Sequence, residues 1–421
     1  MKKTTDSSRS TIKNVSFIGL SNVFSIISSL LGSFIVARYL SPADFGSVKA
    51  FFILNSYFAV SHMGIFDGMS RQIPLYLGKG DKSKAMDYAS TGYAFILFGS
   101  LIFGSVYIVF SGYHLIVSQD TFRAFGWFMA GLLYFFTQIT GCLGVTYRTT
   151  SDFAKIAIIN SVANVFSLIG IGFVIYFSSV GLLIRNAVTA TVSTVLYNKY
   201  RPLKAPIHFK KEYFKELIKI GLPLYISGYL GTSFWVAFDA TLAVKFLSSD
   251  EFGVYSFLLV IYLALNTFAM SVKQIYVPKI TYNYGSGMNI RSSMASLKKP
   301  IFYLLTATLA VCIVNVYLSP FLIELILPKY IAAIPFVGFL GIHLLIEPFQ
   351  LYNTVLFAAN KWKINIYTIL AGLIVYFVAV FVLKSYFHGI LAFIIANAVG
   401  RLVQLLLAIL YLSRIRDEEA Q

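Results

Sequence analysis

Charged residues are scarce in this sequence: Asp, Glu, Lys and Arg together make up only 12% of its 421 residues. A soluble domain usually carries about 25% charged residues. One hydrophobic core stops growing near roughly 250–300 residues, so a soluble chain of this length divides into domains that each need a polar surface. Hydrophobic residues make up 58% of the chain, which leaves too little polar material for such surfaces and excludes a water-soluble protein.

Cysteine is also rare. Cys142 and Cys312 both lie in apolar stretches, which excludes a disulfide framework and a cysteine-based metal cage. The sequence contains no Walker A motif, no His-Glu-x-x-His and no Gly-x-Ser-x-Gly, the motifs of several nucleotide-dependent and hydrolytic enzymes. We therefore predict that the protein is not an enzyme and that it uses no metal and no cofactor.

Acidic residues are half as frequent as basic ones, 17 against 34, so the net charge is +17. The basic residues sit between apolar runs rather than on one soluble face, and nucleic acid is therefore not a predicted partner. With the spans predicted below, 26 basic residues fall on one side of the membrane and 7 on the other. Short basic loops stay in the cytoplasm, which predicts that both termini are cytoplasmic.

Long uncharged runs are abundant, and a helix needs about 20 apolar residues to cross a bilayer. The first run is too long for a signal peptide and has no small-residue cleavage site, so we interpret it as a retained span. We predict an all-α integral membrane protein with about twelve transmembrane helices. Their approximate positions are 14–37, 45–66, 88–110, 121–143, 155–177, 181–199, 217–244, 252–272, 300–318, 331–357, 363–383 and 388–411. The turn between the fifth and sixth is predicted at Ser178-Ser179-Val180-Gly181.

An internal repeat divides the chain. The segment Arg38-Tyr39-Leu40-Ser41-Pro42-Ala43-Asp44-Phe45-Gly46 recurs 207 positions later as Lys245-Phe246-Leu247-Ser248-Ser249-Asp250-Glu251-Phe252-Gly253. Two shorter matches follow at a shift of 202 positions, Arg71-Gln72-Ile73 with Lys273-Gln274-Ile275 and Ile18-Gly19-Leu20 with Ile220-Gly221-Leu222. These shifts predict a six-helix half at residues 1–205 and another at residues 206–421. Because six is even, the halves are expected to be related by a pseudo-twofold axis along the membrane normal.

Taken together, these segments resemble the multidrug/oligosaccharidyl-lipid/polysaccharide (MOP) exporter superfamily, and within it most closely the polysaccharide flippases of O-antigen and related pathways. The resemblance rests on residues 37–46 and on the similar opening of the second half, Ile220-Gly221-Leu222-Pro223 followed by Phe238-Asp239. It implies a flippase of the bacterial inner membrane that moves undecaprenyl-pyrophosphate-linked oligosaccharide to the periplasmic leaflet by alternating access. It also implies polysaccharide polymerase and chain-length proteins as partners.

Four basic residues within or at the ends of spans are predicted to form a cationic cavity that binds this lipid-linked oligosaccharide: Arg38, Arg185, Lys245 and Arg401. Charges in the hydrocarbon are unfavourable and usually face a water-filled cavity or a partner. Arginine presents a planar fork of donors that suits the oxygens of a pyrophosphate. Alternatively, Arg38 and Lys245 snorkel to the interface, and Arg401 pairs with an acid to hold two helices together.

Two acids, Asp239 and Glu347, lie within spans. They are either structural partners of the buried cations or sites for a coupling H⁺ or Na⁺, because a desolvated carboxylate exchanges protons more readily near neutral pH. Pro348 follows Glu347 directly, and Pro335 lies earlier in the tenth span. Proline frees backbone carbonyls and permits bending, so the tenth span is our predicted moving element.

Two other functions are compatible with the same composition. The first is a cation-coupled exporter of drugs or small solutes with the same architecture, although excess positive charge in the cavity disfavours cationic drugs. The second is a membrane glycan polymerase or ligase. Such enzymes commonly place a catalytic group on a sizeable outer loop, and the predicted outer loops are short.

Overall fold

The computed structural model describes residue 28 and residues 31–285 and 288–414, and within these ranges the backbone forms helices joined by short turns, without strands. The described residues cluster into two compact units. One contains the described residues up to Leu40 together with Phe51–Ile226, and the other contains Ser41–Ala50 and the described residues from Ser227 onward. The predicted all-α fold class is confirmed.

The helices up to residue 229 are numbered here in chain order. They are α1 (31–39), α2 (Pro42–Phe51), α3 (Ile53–Phe58), α4 (Ile65–Gly78), α5 (Lys82–Ile116), α6 (Thr121–Thr149), α7 (Phe153–Ile169), α8 (Ile171–Lys199) and α9 (Lys211–Tyr229). A 3₁₀ turn, Ala59–His62, joins α3 to the approach of α4.

A π-helical turn, Leu230–Phe234, continues α9 into the second unit. The remaining helices are α10 (Trp235–Phe246), α11 (Ser249–Gly285), α12 (Ile290–Ile326), α13 (Ile334–Val337), α14 (Leu340–Ile346), α15 (Asn353–Ala358), α16 (Trp362–Leu383) and α17 (Gly389–Arg414). Two 3₁₀ segments, Pro328–Ala333 and Glu347–Tyr352, interrupt the stretch between α12 and α15.

The length of the helices and the apolar side chains on their outside are typical of a protein that spans a membrane. Six described helices, α5, α6, α8, α12, α16 and α17, are long and apolar enough to cross a bilayer, and a bent pair would form a seventh span. Large apolar side chains cover the outside: Ile102 is 68% exposed and Val109 is 71% exposed. Such a surface is stable in lipid and not in water, so the chain is a multi-pass membrane protein.

The predicted helices coincide with helical segments of the structure, although several are interrupted. The first predicted helix lies mostly among residues 1–27, 29 and 30, which are outside the described part of the chain. The predicted second helix is divided into α2, α3 and a 3₁₀ turn, and the predicted seventh into α9, the π-helical turn and α10. Both chain termini, and with them the prediction that they are cytoplasmic, also lie outside the described residues.

The turn predicted at Ser178 is present. Ser178 has φ of 50° and ψ of −126°, so two helices meet there inside α8. Positive φ is uncommon for a residue other than glycine. Gly181 then lies against the backbone of Phe173, so closely that a Cβ would overlap the Phe173 carbonyl. The residues before and after Ser178 therefore form two closely packed antiparallel segments.

The predicted tenth span is bent, as its prolines indicate. Pro328–Val337 and Leu340–Ala358 meet at an angle of 51°. Pro328, Pro335 and Pro348 each occupy the first turn of a short helical segment, a position where the missing N–H of proline does no harm. Bending is thus observed, while movement of this span stays a prediction.

The longer repeat forms equivalent local structures at its two copies. The Ser41 hydroxyl accepts from the Asp44 N–H (3.1 Å) and donates to the Asp44 carboxylate (2.7 Å). In the second copy the Ser248 hydroxyl accepts from the Glu251 N–H (3.3 Å), and the Glu251 carboxylate accepts from the Ser248 N–H (2.8 Å). The second copy therefore starts its helix with a capping box, whereas in the first copy the carboxylate accepts from the serine hydroxyl instead of from its N–H.

The two copies also contact each other inside the second unit. A Cβ on Gly46 would lie 2.9 Å from the Gly253 nitrogen, and a Cβ on Gly253 would overlap the Pro42 carbonyl. Glycine at both positions lets the starts of α2 and α11 approach backbone to backbone. This contact explains why Ser41–Ala50 groups with the second unit rather than with its sequence neighbours. The division of the sequence into six-helix halves at residue 205 stays a prediction.

Candidate functional site

A cavity of about 370 Å³ with several polar lining residues lies within the first unit. It is formed by α6, α7 and α8. Its lining residues are Leu133, Thr137, Thr140, Ser167, Asn186, Thr189, Ala190 and Ser193. Six of the eight lining residues carry a hydroxyl or amide group, although apolar atoms make up most of the wall, and no carboxylate is among these lining residues.

Helical spacing places the polar lining groups in rows. Thr137 and Thr140 lie three residues apart on α6, while Asn186, Thr189 and Ser193 follow at intervals of three and four on α8. Side chains at these intervals share one face of a helix. The Thr137 hydroxyl donates to the Tyr134 carbonyl (2.9 Å) and the Thr189 hydroxyl to the Arg185 carbonyl (2.8 Å). Each hydroxyl oxygen therefore keeps lone pairs that can accept from a ligand.

Arg185 lies at the edge of this cavity. Its Nε donates to the Ser167 carbonyl (2.7 Å) and a terminal nitrogen donates to the Ser167 hydroxyl (2.7 Å). Ser167 itself lines the cavity. Gly32 and Gly170 make room for the side chain, since a Cβ on either would lie 2.9 Å from an Arg185 atom. The guanidinium is consequently held between helices by uncharged groups.

No carboxylate in the described part of the first unit forms a salt bridge with Arg185. A partly buried cation without a counter-ion is unfavourable, because desolvation is only incompletely offset by neutral hydrogen bonds. An anion placed beside Ser167 would supply the missing charge. The combination of one arginine with many hydroxyls suits a ligand that is both anionic and rich in hydroxyl groups.

Asp239 is the centre of a polar network within the second unit, where it is only 3% exposed. The Tyr255 hydroxyl reaches both of its oxygens (2.9 and 2.8 Å), the Tyr376 hydroxyl donates to it at 2.7 Å, and the Asn397 amide at 3.1 Å. These donors come from α11, α16 and α17. Within the described residues no cation lies within salt-bridge distance of Asp239 and its hydrogen-bond donors are uncharged, while Arg401 acts on it electrostatically from farther away.

Close packing of α16 and α17 brings two of these donors together. A Cβ on Gly372 would lie 2.6 Å from the Gly400 carbonyl oxygen, and one on Gly400 would lie 2.7 Å from the Gly372 oxygen. Small residues permit such close helix contacts in membranes. Tyr376 follows Gly372 by one helical turn, and Asn397 precedes Gly400 by nearly one turn, so both side chains reach Asp239.

Arg401 belongs to the same network. Its guanidinium lies 3.8 Å from the centre of the Trp235 ring, and one terminal nitrogen donates to the Gly231 carbonyl (2.8 Å) in the π-helical turn. Trp235 in turn donates from its indole nitrogen to the side-chain amide oxygen of Asn397 (3.2 Å). π-Helical turns leave carbonyls available and often occur at functional sites. The Arg401 Nε is buried and has no hydrogen-bond partner among the described residues.

Glu347 forms the other acidic end of this network. It accepts from the Tyr262 hydroxyl at 3.0 Å and from the Lys273 ammonium at 2.5 Å. His343 stacks on Tyr262 with ring centres 4.5 Å apart. Arg401 interacts electrostatically with both Glu347 and Asp239. The network therefore contains two carboxylates and two cations, and its formal charges balance when all four are ionised.

The six predicted site residues are not all found in one cluster within either unit. Arg185 lies in the first unit, whereas Arg401, Asp239 and Glu347 share the network of the second unit. Arg38 and Lys245 are exposed on their helices, and the Lys245 ammonium lies 5.8 Å from the ring of the adjacent Phe246. The assignment of the four basic residues to one cationic cavity stays a prediction.

Sequence reasoning missed Lys273 and the tyrosines that surround the acids. Lys273 was recognised only as part of a repeat, and its partner Glu347 lies 74 residues away. Tyr255, Tyr262 and Tyr376 are three of 28 tyrosines, and nothing in their spacing distinguishes them. Tyr255 and Tyr376 lie 16 and 137 residues from Asp239, and Tyr262 lies 85 residues from Glu347, so these contacts depend on tertiary packing.

Comparison with solved structures identifies the fold. No protein-family model and no curated protein sequence matches the chain. An inward-facing multidrug resistance MATE transporter of the MOP superfamily matches at a TM-score of 0.75 with 17% identity, over 92% of this chain and 94% of that one. The lipid II flippase MurJ matches at 0.68 with 17% identity, over 96% and 88%. A MOP superfamily transporter from Pyrococcus furiosus matches at 0.65 with 14% identity, over 95% of each chain.

These identities are too low to transfer an activity, but the coverage is nearly complete in both directions. The chain therefore has the fold of MOP superfamily transporters, and the resemblance read from residues 37–46 and 220–223 is confirmed at the level of the fold. The matching structures include both a drug transporter and a lipid flippase. The choice between the two functions has to come from the chemistry of this chain's own residues.

Proposed function

We propose that the protein is a flippase that translocates an undecaprenyl-pyrophosphate-linked oligosaccharide, an O-antigen or related polysaccharide repeat unit, across the bacterial inner membrane by alternating access. One observation supports this choice above the others. Arg185 is a partly buried cation, without a described acidic partner, beside a cavity in which six of the eight lining residues bear a hydroxyl or amide group. The pyrophosphate of such a substrate is the counter-ion that Arg185 lacks. The hydroxyl groups of its sugars can form hydrogen bonds with the polar residues that line the cavity.

A drug exporter has the same fold but needs different chemistry. Lipophilic cations are stabilised by carboxylates and by the faces of aromatic rings. The first-unit cavity has neither among its lining residues, and the nearby charge is positive. Electrostatic repulsion by Arg185 therefore disfavours a cationic drug at this position. The drug exporter is the second candidate, since a multidrug transporter shares the fold.

We assign the second-unit network to energy coupling and to holding helices together. Asp239 is surrounded by uncharged donors, so it can take up a proton or a sodium ion without displacing an existing salt bridge. Glu347 is already bound to Lys273. Asp239 is thus the preferred coupling residue and Glu347 the structural one. Arg38 and Lys245 remain proposed contacts of the substrate, whereas Arg401, whose charge is offset by both acids of the network, is assigned to holding helices together.

Direct binding distinguishes the two functions. Purified full-length protein in detergent is titrated with undecaprenyl-pyrophosphate-linked oligosaccharide and, separately, with the lipophilic cation tetraphenylphosphonium. The proposal expects saturable binding of the glycolipid that tetraphenylphosphonium does not displace. Binding of the cation together with no affinity for the glycolipid would favour the exporter. Elongation of the glycan by the purified protein would instead indicate a polymerase.

A further inference from the structure

The threonine hydroxyls of the first-unit cavity are oriented by hydrogen bonds to the protein itself. The Thr137 hydroxyl donates to the Tyr134 carbonyl at 2.9 Å, and the Thr189 hydroxyl donates to the Arg185 carbonyl at 2.8 Å. A hydroxyl has one hydrogen and two lone pairs. Because that hydrogen is already used within the helix, each of these oxygens is left to accept a hydrogen bond from a ligand.

Thr140 is oriented in the same way at the contact between α6 and α8. The hydroxyl oxygens of Thr140 and Thr194 lie 2.7 Å apart. The Thr194 hydroxyl also has two carbonyl acceptors, that of Phe136 at 3.0 Å and that of Ala190 at 2.9 Å. Because its single hydrogen is directed at these carbonyls, Thr140 supplies the hydrogen of the bond between the two hydroxyls. All three threonines that line the cavity therefore present acceptors to it.

The opposite polarity is found where Ser167 lines the cavity. The Ser167 hydroxyl accepts from the Arg185 guanidinium at 2.7 Å, and no described residue accepts the hydrogen of this hydroxyl. An arginine has five N–H donors, and Arg185 uses only two of them, both on Ser167. This end of the cavity consequently offers donors, which suit the oxygens of a phosphate.

The other lining residues do not change this division. Asn186 and Ser193 can each donate as well as accept, so they favour neither kind of ligand group. Leu133 and Ala190 offer only hydrocarbon, which can pack against the C–H groups of a sugar ring. No basic residue is among the lining residues, so the positive charge at this cavity comes from Arg185 at its edge.

The donor end and the acceptor wall follow one another along α8. Thr189 lies one helical turn after Arg185 and Ser193 lies two turns after it, so the row extends over about 12 Å. When a pyrophosphate occupies the end at Arg185 and Ser167, the sugar attached directly to it lies against the threonines. The pyrophosphate already carries more negative charge than one arginine balances. A further anionic group on this sugar would therefore meet repulsion from the pyrophosphate and from the acceptor oxygens.

We propose that the cavity selects an uncharged sugar with free hydroxyl groups next to the pyrophosphate, and that Thr137, Thr140 and Thr189 accept hydrogen bonds from those hydroxyls. This inference rests on the proposed function and specifies which lipid-linked oligosaccharides bind. A uronic acid would place a carboxylate against the acceptor wall. A methylated sugar would have no hydrogens to donate, so both kinds of sugar are disfavoured.

Binding of four lipids tests the proposal: undecaprenyl pyrophosphate without a sugar, and the same carrier linked to glucose, to glucuronic acid or to tetra-O-methylglucose. Each is titrated into the purified full-length protein in detergent. Glucose and glucuronic acid differ only in the oxidation state of C6, and methylation removes donors without adding charge. The proposal predicts that the glucose form binds most tightly and that the other two sugars bind no better than the carrier alone.

Threonine variants test whether the hydroxyl oxygens cause this preference. T137V/T189V removes two acceptors with little change in shape. It is predicted to weaken binding of the glucose form by about fivefold for each threonine and to leave binding of the carrier alone unchanged, which also shows that the variant is folded. T191V is the matched control, because the Thr191 hydroxyl donates to the Ala187 carbonyl on the same helix (2.8 Å) but does not line the cavity.

Three results would overturn this inference while leaving the proposed function in place. They are equal binding of the glucose and tetra-O-methylglucose forms, equal binding of the glucose and glucuronic acid forms, and equal effects of T137V/T189V and T191V on the glucose form. In each of these cases saturable binding of the glycolipids still supports a flippase. Failure of all four lipids to bind would contradict the proposed function itself, and this inference with it.

Discussion

At the scale of single residues, charge compensation distinguishes Arg185 from the charged residues of the second-unit network. In the second unit Glu347 is paired with Lys273, and Arg401 interacts with both acids of the network. In the first unit Arg185 is held by the hydroxyl and carbonyl of Ser167. A charge that is already balanced favours a structural role, and an unbalanced one favours a ligand contact. This contrast is the basis for assigning the substrate to Arg185.

Removing the Arg185 charge is predicted to impair transport of the lipid-linked oligosaccharide by about tenfold or more. A hydrogen bond to a charged group contributes about 1.5–3 kcal/mol, which corresponds to roughly 10–150-fold in affinity. The measurement is the initial transport rate of R185Q in proteoliposomes. S167A is the matched control, since it removes one Arg185 hydrogen bond and leaves the cation. Equal loss in both variants would show that Arg185 only joins α7 to α8.

The two acids of the second unit are predicted to respond differently to neutralisation. E347Q leaves the Lys273 ammonium without its carboxylate, and breaking a buried ion pair destabilises by about 3–5 kcal/mol. The double variant K273M/E347Q should recover most of that loss in thermal unfolding. D239N should remain folded and lose the dependence of transport on pH or sodium. Retention of that dependence in D239N, or a stable E347Q, would contradict these assignments.

At the scale of elements, apolar runs predicted helix positions well because lipid demands continuous apolar length. The sequence also indicated the turn at Ser178 and the bend of the tenth span, since serine, glycine and proline act through the local backbone. The division of the second predicted helix and the π-helical turn at Leu230–Phe234 were not predicted, because no residue pattern distinguishes them. Contacts such as Lys273 with Glu347 depend on packing between distant segments, so the sequence identified the acid and missed its partner.

Gly253, at the contact between the two repeat copies, is predicted to be necessary for the packing of α2 against α11. In G253A the added methyl would meet the Pro42 carbonyl, and overpacking typically destabilises by about 1–3 kcal/mol. G228A is the control in the same unit, because no atom lies within 4 Å of a Cβ there. Thermal unfolding in detergent should place G253A below wild type and G228A at or above it. Equal stability of the two variants would disprove the close contact.

At the scale of the whole molecule, the distribution of basic residues predicts the orientation in the membrane, with 26 on the cytoplasmic side and 7 on the other. A green fluorescent protein fused after Gln421 should therefore fluoresce, because it folds in the cytoplasm. Alkaline phosphatase fused at the same position should be inactive, and its fusion in the turn between α5 and α6 should be active. The reverse pattern would place the basic loops outside and contradict the predicted topology.

In our proposal, the protein combines the fold of MOP superfamily transporters with a cavity beside Arg185 whose chemistry suits an anionic glycolipid. Its most direct test is a flipping assay in proteoliposomes that contain the purified protein and a fluorescent undecaprenyl-pyrophosphate-linked oligosaccharide. The fraction of sugar accessible to an external lectin is followed over time. The account predicts faster exchange between leaflets than in protein-free vesicles, unaffected by lipophilic cations and reduced in R185Q. Exchange no faster than in empty vesicles, together with uptake of the cations, would contradict it.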